Sequence, residues 1–258
     1  VLHLNNLDYE RWNEAIQNRN WLNTYGAGLK RLEKLQKDKS SYREFNFDIL
    51  MANPPFAGDI KESRIIHKYD LGYNAKGKPK SKVGRDILSI ERNLNFLKPG
   101  GRMAVVLPQG RFNNTSDKQI REYISEKARI LAVVGLQVNT FKPHTGTKTS
   151  VLFVQKWNDD ESKGPLCPKV DDYPIFFAVS EKSGKNNSGD YEYMIDEDGS
   201  LVEFPNGHPQ EGQMVVNQDL VNYDIRRGEL TNEAKIPNGN LCIAEAFARF
   251  AQEQKLSF

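Results

Sequence analysis

Between residues 47 and 155, short apolar segments alternate with helical patterns, and no other feature of the sequence limits the fold as strongly. Four segments are short and rich in branched side chains, which is typical of strands. The first three are almost continuously apolar, so we expect both faces of each strand to be covered by helices. The predicted strands are Phe47–Ala52, Met103–Leu107, Ile130–Leu136 and Ser150–Gln155.

Helical patterns connect these strands. Ile87, Ile90, Leu94 and Leu97 recur at the spacing of one helix face. Ser116–Gln119 has the capping-box pattern that begins a second helix. Strand, helix, strand, helix and strand in succession predict an α/β fold with a doubly wound, mostly parallel sheet. In such folds ligands bind where the strands end, so we expect a functional site there.

The composition changes near Trp157. Acidic and turn-forming residues dominate from Asp159 to Asp198, whereas the preceding part of the chain carries the apolar strands. We therefore expect a sheet domain over residues 1–157 and a polar, acidic, irregular extension over residues 158–258. The extension ends in a predicted helix that carries Ile243, Phe247 and Phe250 on one face.

Overall composition excludes several classes of protein. The 258 residues include 36 Lys and Arg and 34 Asp and Glu, and a net charge of +2 does not by itself indicate nucleic-acid binding. No segment approaches the roughly 18 apolar residues of a membrane span, and residues 1–30 lack the basic, apolar and small-residue pattern of a signal peptide. Two distant cysteines, Cys167 and Cys242, cannot form a cysteine-rich zinc site. We therefore expect a cytoplasmic protein with no metal site and no membrane partner.

Asn53-Pro54-Pro55-Phe56 follows the first predicted strand and carries the strongest chemical signal. The amide oxygen of Asn53 and the carbonyl oxygen of Pro54 can both point out of the strand end, because two prolines fix φ and remove donors. Phe56 adds a flat apolar surface. Two acceptors beside an aromatic ring fit an amino group on a planar ring, and they aim the nitrogen lone pair at an electrophile. The alternative is a rigid strand end with Phe56 in the core.

This tetrapeptide is similar to the Asn-Pro-Pro-Phe/Tyr motif of S-adenosylmethionine-dependent amino-group methyltransferases, in particular adenine-N6 DNA methylases. Segments 47–56, 97–108 and 141–153 together resemble the methylation subunits of type I restriction–modification systems in order and spacing. The resemblance extends over residues 1–157 and implies the fold of those methyltransferases, with this chain as its C-terminal part. It also implies methyl transfer to the N6 atom of adenine in DNA.

In that family, Asn53 and Pro54 hold the N6 amine, Phe56 stacks on an adenine flipped out of the duplex, and Pro55 sets the backbone shape. The resemblance implies S-adenosyl-L-methionine as the methyl donor. The partners it implies are double-stranded DNA, a specificity subunit or a fused target-recognition module, and a restriction subunit.

The donor site of that family has only weak counterparts in this sequence. The resemblance places its glycine-rich loop upstream of Val1, so we expect the natural N-terminus to lie upstream and the isolated chain to be inactive. Asn5 falls where the family often places an Asp or Asn near the adenine of the donor. Asp86, at a predicted helix start, is a second candidate for the wall of the donor pocket. Its alternative role is charge complementarity with the helix N-terminus.

A basic segment, Lys61–Arg85, directly follows the tetrapeptide. It carries eight Lys and Arg residues, opposed by Glu62 and Asp70. Its position favours a loop that closes over DNA and neutralises phosphates, and the alternative is a mobile, solvated loop. The candidate DNA-binding residues are Lys76, Lys78, Lys80 and Lys82.

Two other functions are open at this point. The same tetrapeptide occurs in methyltransferases that act on glutamine amides in proteins, but those enzymes lack a long basic insertion after it. The chain could also be a non-catalytic assembly partner of a specificity subunit.

Overall fold

The computed structural model of the protein describes residues 46–221 and 242–256. Asn5 and the helical patterns of the first 45 residues lie outside this part of the chain. The strands are β1 Phe47–Ala52, β2 Asp59–Ile60, β3 Val83–Gly84, β4 Leu97–Pro108, β5 Ala128–Gly135, β6 Thr149–Lys156 and β7 Phe176–Val179. The α-helices are α1 Ser63–Ile66, α2 Arg85–Phe96, α3 Gly110–Asn113, α4 Lys118–Lys127 and α5 Ile243–Glu253.

Five strands form one sheet in the order β1-β4-β6-β5-β7. β1 pairs in parallel with β4, and β7 pairs in parallel with β5. β6 runs antiparallel to β5, because Leu136 N donates to Thr149 O (2.9 Å) and Trp157 N donates to Lys127 O (3.2 Å). β2 and β3 form a separate antiparallel pair. The prediction of an α/β fold with a mostly parallel sheet is confirmed.

The described residues form two compact units. The first comprises residues 46–130 and 153–171, and the second comprises residues 131–152, 172–221 and 242–256. The boundary predicted after Trp157 therefore falls inside the first unit.

The first unit has its best-buried strand in β4. Met103, Val105 and Leu107 are fully buried and alternate with partly buried neighbours, as expected for a pleated strand. Ile90 and Leu94 of α2 are buried, as predicted for its apolar face, whereas Leu97 of that predicted face is the first residue of β4. Burial of each such side chain stabilises the fold by about 1.5–3 kcal/mol.

β1 has the predicted bounds, but the prediction that both of its faces are covered is wrong. It is an edge strand of the sheet among the described residues. The exposed fractions of Phe47, Ile49 and Met51 are 41%, 60% and 82%. These three residues alternate along the strand and therefore lie on one face. A continuous apolar run cannot distinguish a strand covered on both faces from an edge strand, because both patterns lack polar residues.

The helix expected to start with a capping box at Ser116 begins instead at Lys118 as α4. Its N-cap residue, Asp117, forms no side-chain cap hydrogen bond. The Asp117 carboxylate accepts a hydrogen bond from Arg111 Nη1 at 3.1 Å instead. A tertiary contact with a cation has therefore replaced the local cap.

The second unit contains β7, a strand that the sequence patterns did not predict. The Phe176 ring packs on Phe247 and Phe250 of α5, with ring centroids 5.5 and 5.4 Å apart. The predicted helix with these residues on one face is thereby confirmed. β7 escaped prediction because its four residues are a short apolar run within an acidic region.

Candidate functional site

The tetrapeptide Asn53–Phe56 leaves the sheet directly after β1. Pro54 is buried, Phe56 is partly buried, and both Asn53 and Pro55 are exposed. Within the described part of the chain, the Asn53 side chain forms no hydrogen bond. Its amide is therefore available to a ligand at the end of the strand.

The ends of β1 and β4 lie at the same edge of the sheet, which we call the carboxyl edge. The two strands are parallel, and Ala52 lies opposite Val105. β4 ends at Pro108 and leads into α3. Residues 109–117 therefore follow the carboxyl edge that also carries Asn53, and this is where parallel α/β folds bind ligands.

A buried ionic cluster joins three segments of the first unit. Arg111 Nε lies 2.6 Å from Asp86 Oδ2 and Nη2 lies 3.1 Å from Oδ1, while Nη1 lies 3.1 Å from Asp117 Oδ2. The exposed fractions of Asp86 and Asp117 are 2% and 7%. Since both Asp86 oxygens accept from Arg111, this carboxylate fixes the start of α2 to α3. The geometry favours that structural role over the wall of a donor pocket.

Glu91 of α2 holds the basic segment to the first unit. Its Oε1 accepts from Asp70 N and its Oε2 accepts from Leu71 N, both at 2.9 Å. Glu91 is only 3% exposed. Burial raises the pKa of Glu91 from 4.5 to about 7, against the two backbone hydrogen bonds, which lower it.

We predict that Glu91→Gln changes the pH dependence of stability. The pKa in the folded chain lies above its unfolded value of 4.5, so the folded chain binds more protons between that pH and about 7. The natural chain therefore loses stability relative to the variant as the pH rises through this window, by up to about 3 kcal/mol. Urea unfolding of both chains from pH 4.5 to 8 measures this difference.

Glu122→Gln is the matched control, because Glu122 on α4 is an exposed glutamate paired with Lys118. Glu122→Gln also removes one negative charge, but the carboxylate that it removes is exposed. Parallel stability curves for the natural chain and Glu91→Gln would contradict the prediction.

The basic segment packs against the first unit at its base, whereas residues 74–79 at its tip are exposed. β2 and β3 close its base. Ile65, Ile66 and Leu71 are almost fully buried and belong to a core cluster with Leu88 of α2. Seven side chains make up this cluster, and their burial holds the base of the segment against α2.

The structure divides the four candidate lysines into two pairs. Lys80 Nζ donates to Leu71 O and to Gln119 Oε1, both at 3.0 Å, and burial lowers its pKa. Lys82 Nζ lies 3.3 Å from Asp59 Oδ2. Lys76 and Lys78 are exposed, and their side chains have no partner in the described part of the chain.

Three residues of this site were missed from the sequence: Glu91, Arg111 and Gln119. Glu91 offered a signal, because it lies on the apolar stripe of α2, four residues after Ile87 and three before Leu94. Nothing local to Arg111 or Gln119 indicates a contact with distant residues.

Comparison with known proteins decides the family. A sequence profile described as N-6 DNA methylase matches residues 15–197, which is more than half of the chain. The chain belongs to the N-6 DNA methylase family. The family resemblance of the three segments is therefore confirmed.

Two relatives of this chain belong to restriction enzymes. The methylase subunit of the type I restriction enzyme EcoEI from Escherichia coli is 31% identical over 123 residues, which cover 47% of this chain and 23% of the relative. The type II restriction enzyme and methyltransferase RM.Eco57I from Escherichia coli is 26% identical over 117 residues, which cover 45% of this chain and 12% of the relative. This chain thus spans less than a quarter of either relative's length.

A solved structure is also similar to this chain. It is the methyltransferase subunit of a type I restriction–modification system from Streptococcus thermophilus, at 27% identity and a TM-score of 0.38. The match covers 49% of this chain and 27% of that one.

The described residues were also searched for membrane-spanning helices and for metal-binding groups. No helix among them combines the length and the apolar character needed to cross a membrane. No group of three or more His, Cys, Asp or Glu side chains in the same residues could hold a metal ion.

Proposed function

We propose that this N-6 DNA methylase transfers a methyl group from S-adenosylmethionine to the N6 atom of adenine in duplex DNA, within a restriction–modification system. The observation that carries the proposal is the placement of the tetrapeptide. Asn53 ends a parallel strand at the carboxyl edge, and its amide is exposed and unengaged among the described residues.

Asn53 and Pro54 act on the amine of the target base. The amide oxygen of Asn53 and the carbonyl oxygen of Pro54 each accept one hydrogen of the amine, which favours a pyramidal nitrogen. The lone pair of that nitrogen is then less delocalised into the ring and can attack the donor methyl group. The sulfonium sulfur would keep the electron pair of the broken S–C bond, and the methylated nitrogen would lose one proton to water. Such preorganised acceptors need no formal base, because they act most strongly as charge develops in the transition state.

Phe56 holds the flipped base. Its ring is partly buried, so one face can rest on the protein while the other stacks on adenine. Pro55 is exposed and contributes backbone shape by its fixed φ.

S-adenosylmethionine supplies the methyl group in this proposal. The described part of the chain contains one of the two candidate donor-binding residues. Asn5 lies outside it, and the carboxylate of Asp86 is engaged by Arg111. We therefore assign no donor-binding residue.

The relation to a type I methylase subunit supports a role within a multisubunit enzyme. On this proposal the partners are double-stranded DNA, a specificity subunit or fused target-recognition module, and a restriction subunit. The family resemblance also supports methyl transfer to DNA over a purely structural role.

A transfer assay with the full-length protein tests the proposed function. We expect labelled donor to place its methyl group on N6 of adenine in duplex DNA containing the recognition sequence, with the specificity component present. A glutamine-containing release-factor protein is the matched alternative substrate. Label in that protein alone would favour glutamine methylation, and label in neither substrate would favour a non-catalytic assembly partner.

A further inference from the structure

Residues 73–80 form a small hairpin within the basic segment, which we call the lysine hairpin. Tyr73 and Pro79 form an antiparallel bridge at its open end. Asn74 N donates to Lys78 O, and Asn74 Oδ1 accepts from the backbone N atoms of Lys76 and Lys78 at 2.9 and 3.0 Å. The tip is therefore fixed by its own backbone contacts, with Lys76 and Lys78 exposed on it.

One side chain from α4 anchors both arms of the lysine hairpin. Gln119 Nε2 donates to Tyr73 O at 2.9 Å, and Gln119 Oε1 accepts from Lys80 Nζ at 3.0 Å. Lys80 N also donates to Gly72 O at 2.8 Å. Lys80 thus ties the hairpin to the first unit through its backbone N atom and its ammonium group.

The anchors of the lysine hairpin belong to the carboxyl edge. β2 and β3, which close the basic segment, begin three residues after Phe56 and end at the start of α2. Gln119 lies in the first turn of α4, shortly after the segment that leaves β4. The hairpin is therefore attached on both sides to segments that leave the edge carrying Asn53.

We propose that the lysine hairpin is a preformed phosphate-binding element for duplex DNA, in which Lys76 and Lys78 contact the backbone and Gln119 is a positioning residue. The inference rests on the proposed function, because it takes DNA as the substrate. Two cations on a fixed turn lose less conformational freedom on binding than cations on a mobile loop. Lys80 is held by Leu71 O and Gln119, and Lys82 pairs with Asp59 outside the hairpin, so the proposal is confined to the two lysines whose side chains have no partner among the described residues.

The salt dependence of DNA binding by the full-length protein separates these roles. We expect Lys76→Gln with Lys78→Gln to reduce the slope of log affinity against log salt by about 1.8, since each phosphate contact contributes about 0.9. Gln119→Leu keeps every charge, so we expect an unchanged slope and about a tenfold lower affinity from the lost anchor. Anisotropy titrations with a labelled 30-base-pair duplex, a length of about three helical turns, measure both quantities.

Lys163→Gln with Lys169→Gln is the matched control. Both lysines are exposed, and Lys163 forms a surface ion pair with Asp160 at 3.1 Å. Gly164 and Pro165 of the same segment lie against Pro99 and Gly100 near the start of β4, at the edge opposite Asn53. An unchanged slope in the hairpin variant, or an equal loss in the control, would overturn the phosphate contacts. Natural affinity in Gln119→Leu would overturn the positioning role.

The methylation assay distinguishes failure of this inference from failure of the proposed function. If the natural protein methylates DNA and the hairpin variant keeps its salt slope, only the hairpin proposal is rejected. If the natural protein neither binds nor methylates DNA, both proposals are rejected.

Discussion

Asn53→Ala is expected to slow single-turnover methylation of DNA by about 10²–10³-fold while the melting temperature of the protein stays the same. Asn53 is exposed and makes no hydrogen bond within the described residues, so its truncation opens no cavity in the core. What is lost is one of two acceptors for the target amine. Because this contact is most useful in the transition state, the loss falls on turnover more than on DNA binding.

Asn113→Ala is the matched control for Asn53→Ala. Asn113 is an exposed asparagine in α3, which follows the same edge of the sheet. We expect this variant to keep natural turnover. Near-normal turnover of Asn53→Ala would remove Asn53 from the mechanism, and lost turnover with a lower melting temperature would favour the rigid strand end.

Arg111→Met is expected to lower the free energy of unfolding by about 3–5 kcal/mol, because removal of one partner leaves uncompensated buried charge. Arg111 is the cation between Asp86 and Asp117, and both of these carboxylates are buried. Methionine keeps an unbranched apolar stem at this position and removes every hydrogen-bond donor. Urea unfolding at constant pH and salt gives the difference between the two chains.

Arg249→Met is the control for the Arg111 prediction. Arg249 Nε pairs with Glu253 Oε1 at 3.2 Å on α5, but the two side chains are 70% and 60% exposed. Exposed pairs contribute about 0–1 kcal/mol, so this variant should unfold at almost the natural urea concentration. Equal losses in the two variants would show that burial of the Arg111 cluster has no energetic consequence.

Local sequence was sufficient to predict the helices and strands whose formation depends on neighbouring residues. β1 has the predicted bounds, and α2 carries Ile87, Ile90 and Leu94 of the predicted apolar stripe, because side-chain periodicity is set within a few residues. The tetrapeptide and the two further segments were also sufficient to predict the family. These are consecutive residues whose chemistry does not depend on what lies elsewhere in the fold.

Strand pairing and exposure required the tertiary structure. β7 joins the sheet beside β5, although more than 40 residues separate Val134 from its partner Ala178. Whether β1 is covered on both faces likewise depends on which segments pack against it, and its own apolar run is the same in either case. Nonlocal hydrogen bonds and packing decide such features, and no local pattern records them.

The sequence by itself determined that this chain is an α/β protein of the N-6 DNA methylase family, with an Asn-Pro-Pro-Phe turn at a strand end. Only the tertiary structure decided what the charged residues do. Lys80 meets Gln119 39 positions away, and Arg111 meets Asp86 25 positions away, whereas Lys76 and Lys78 stay exposed. The physical reason is that the energy of a charge depends on its burial and its partners, and both are set by contacts between residues distant along the chain.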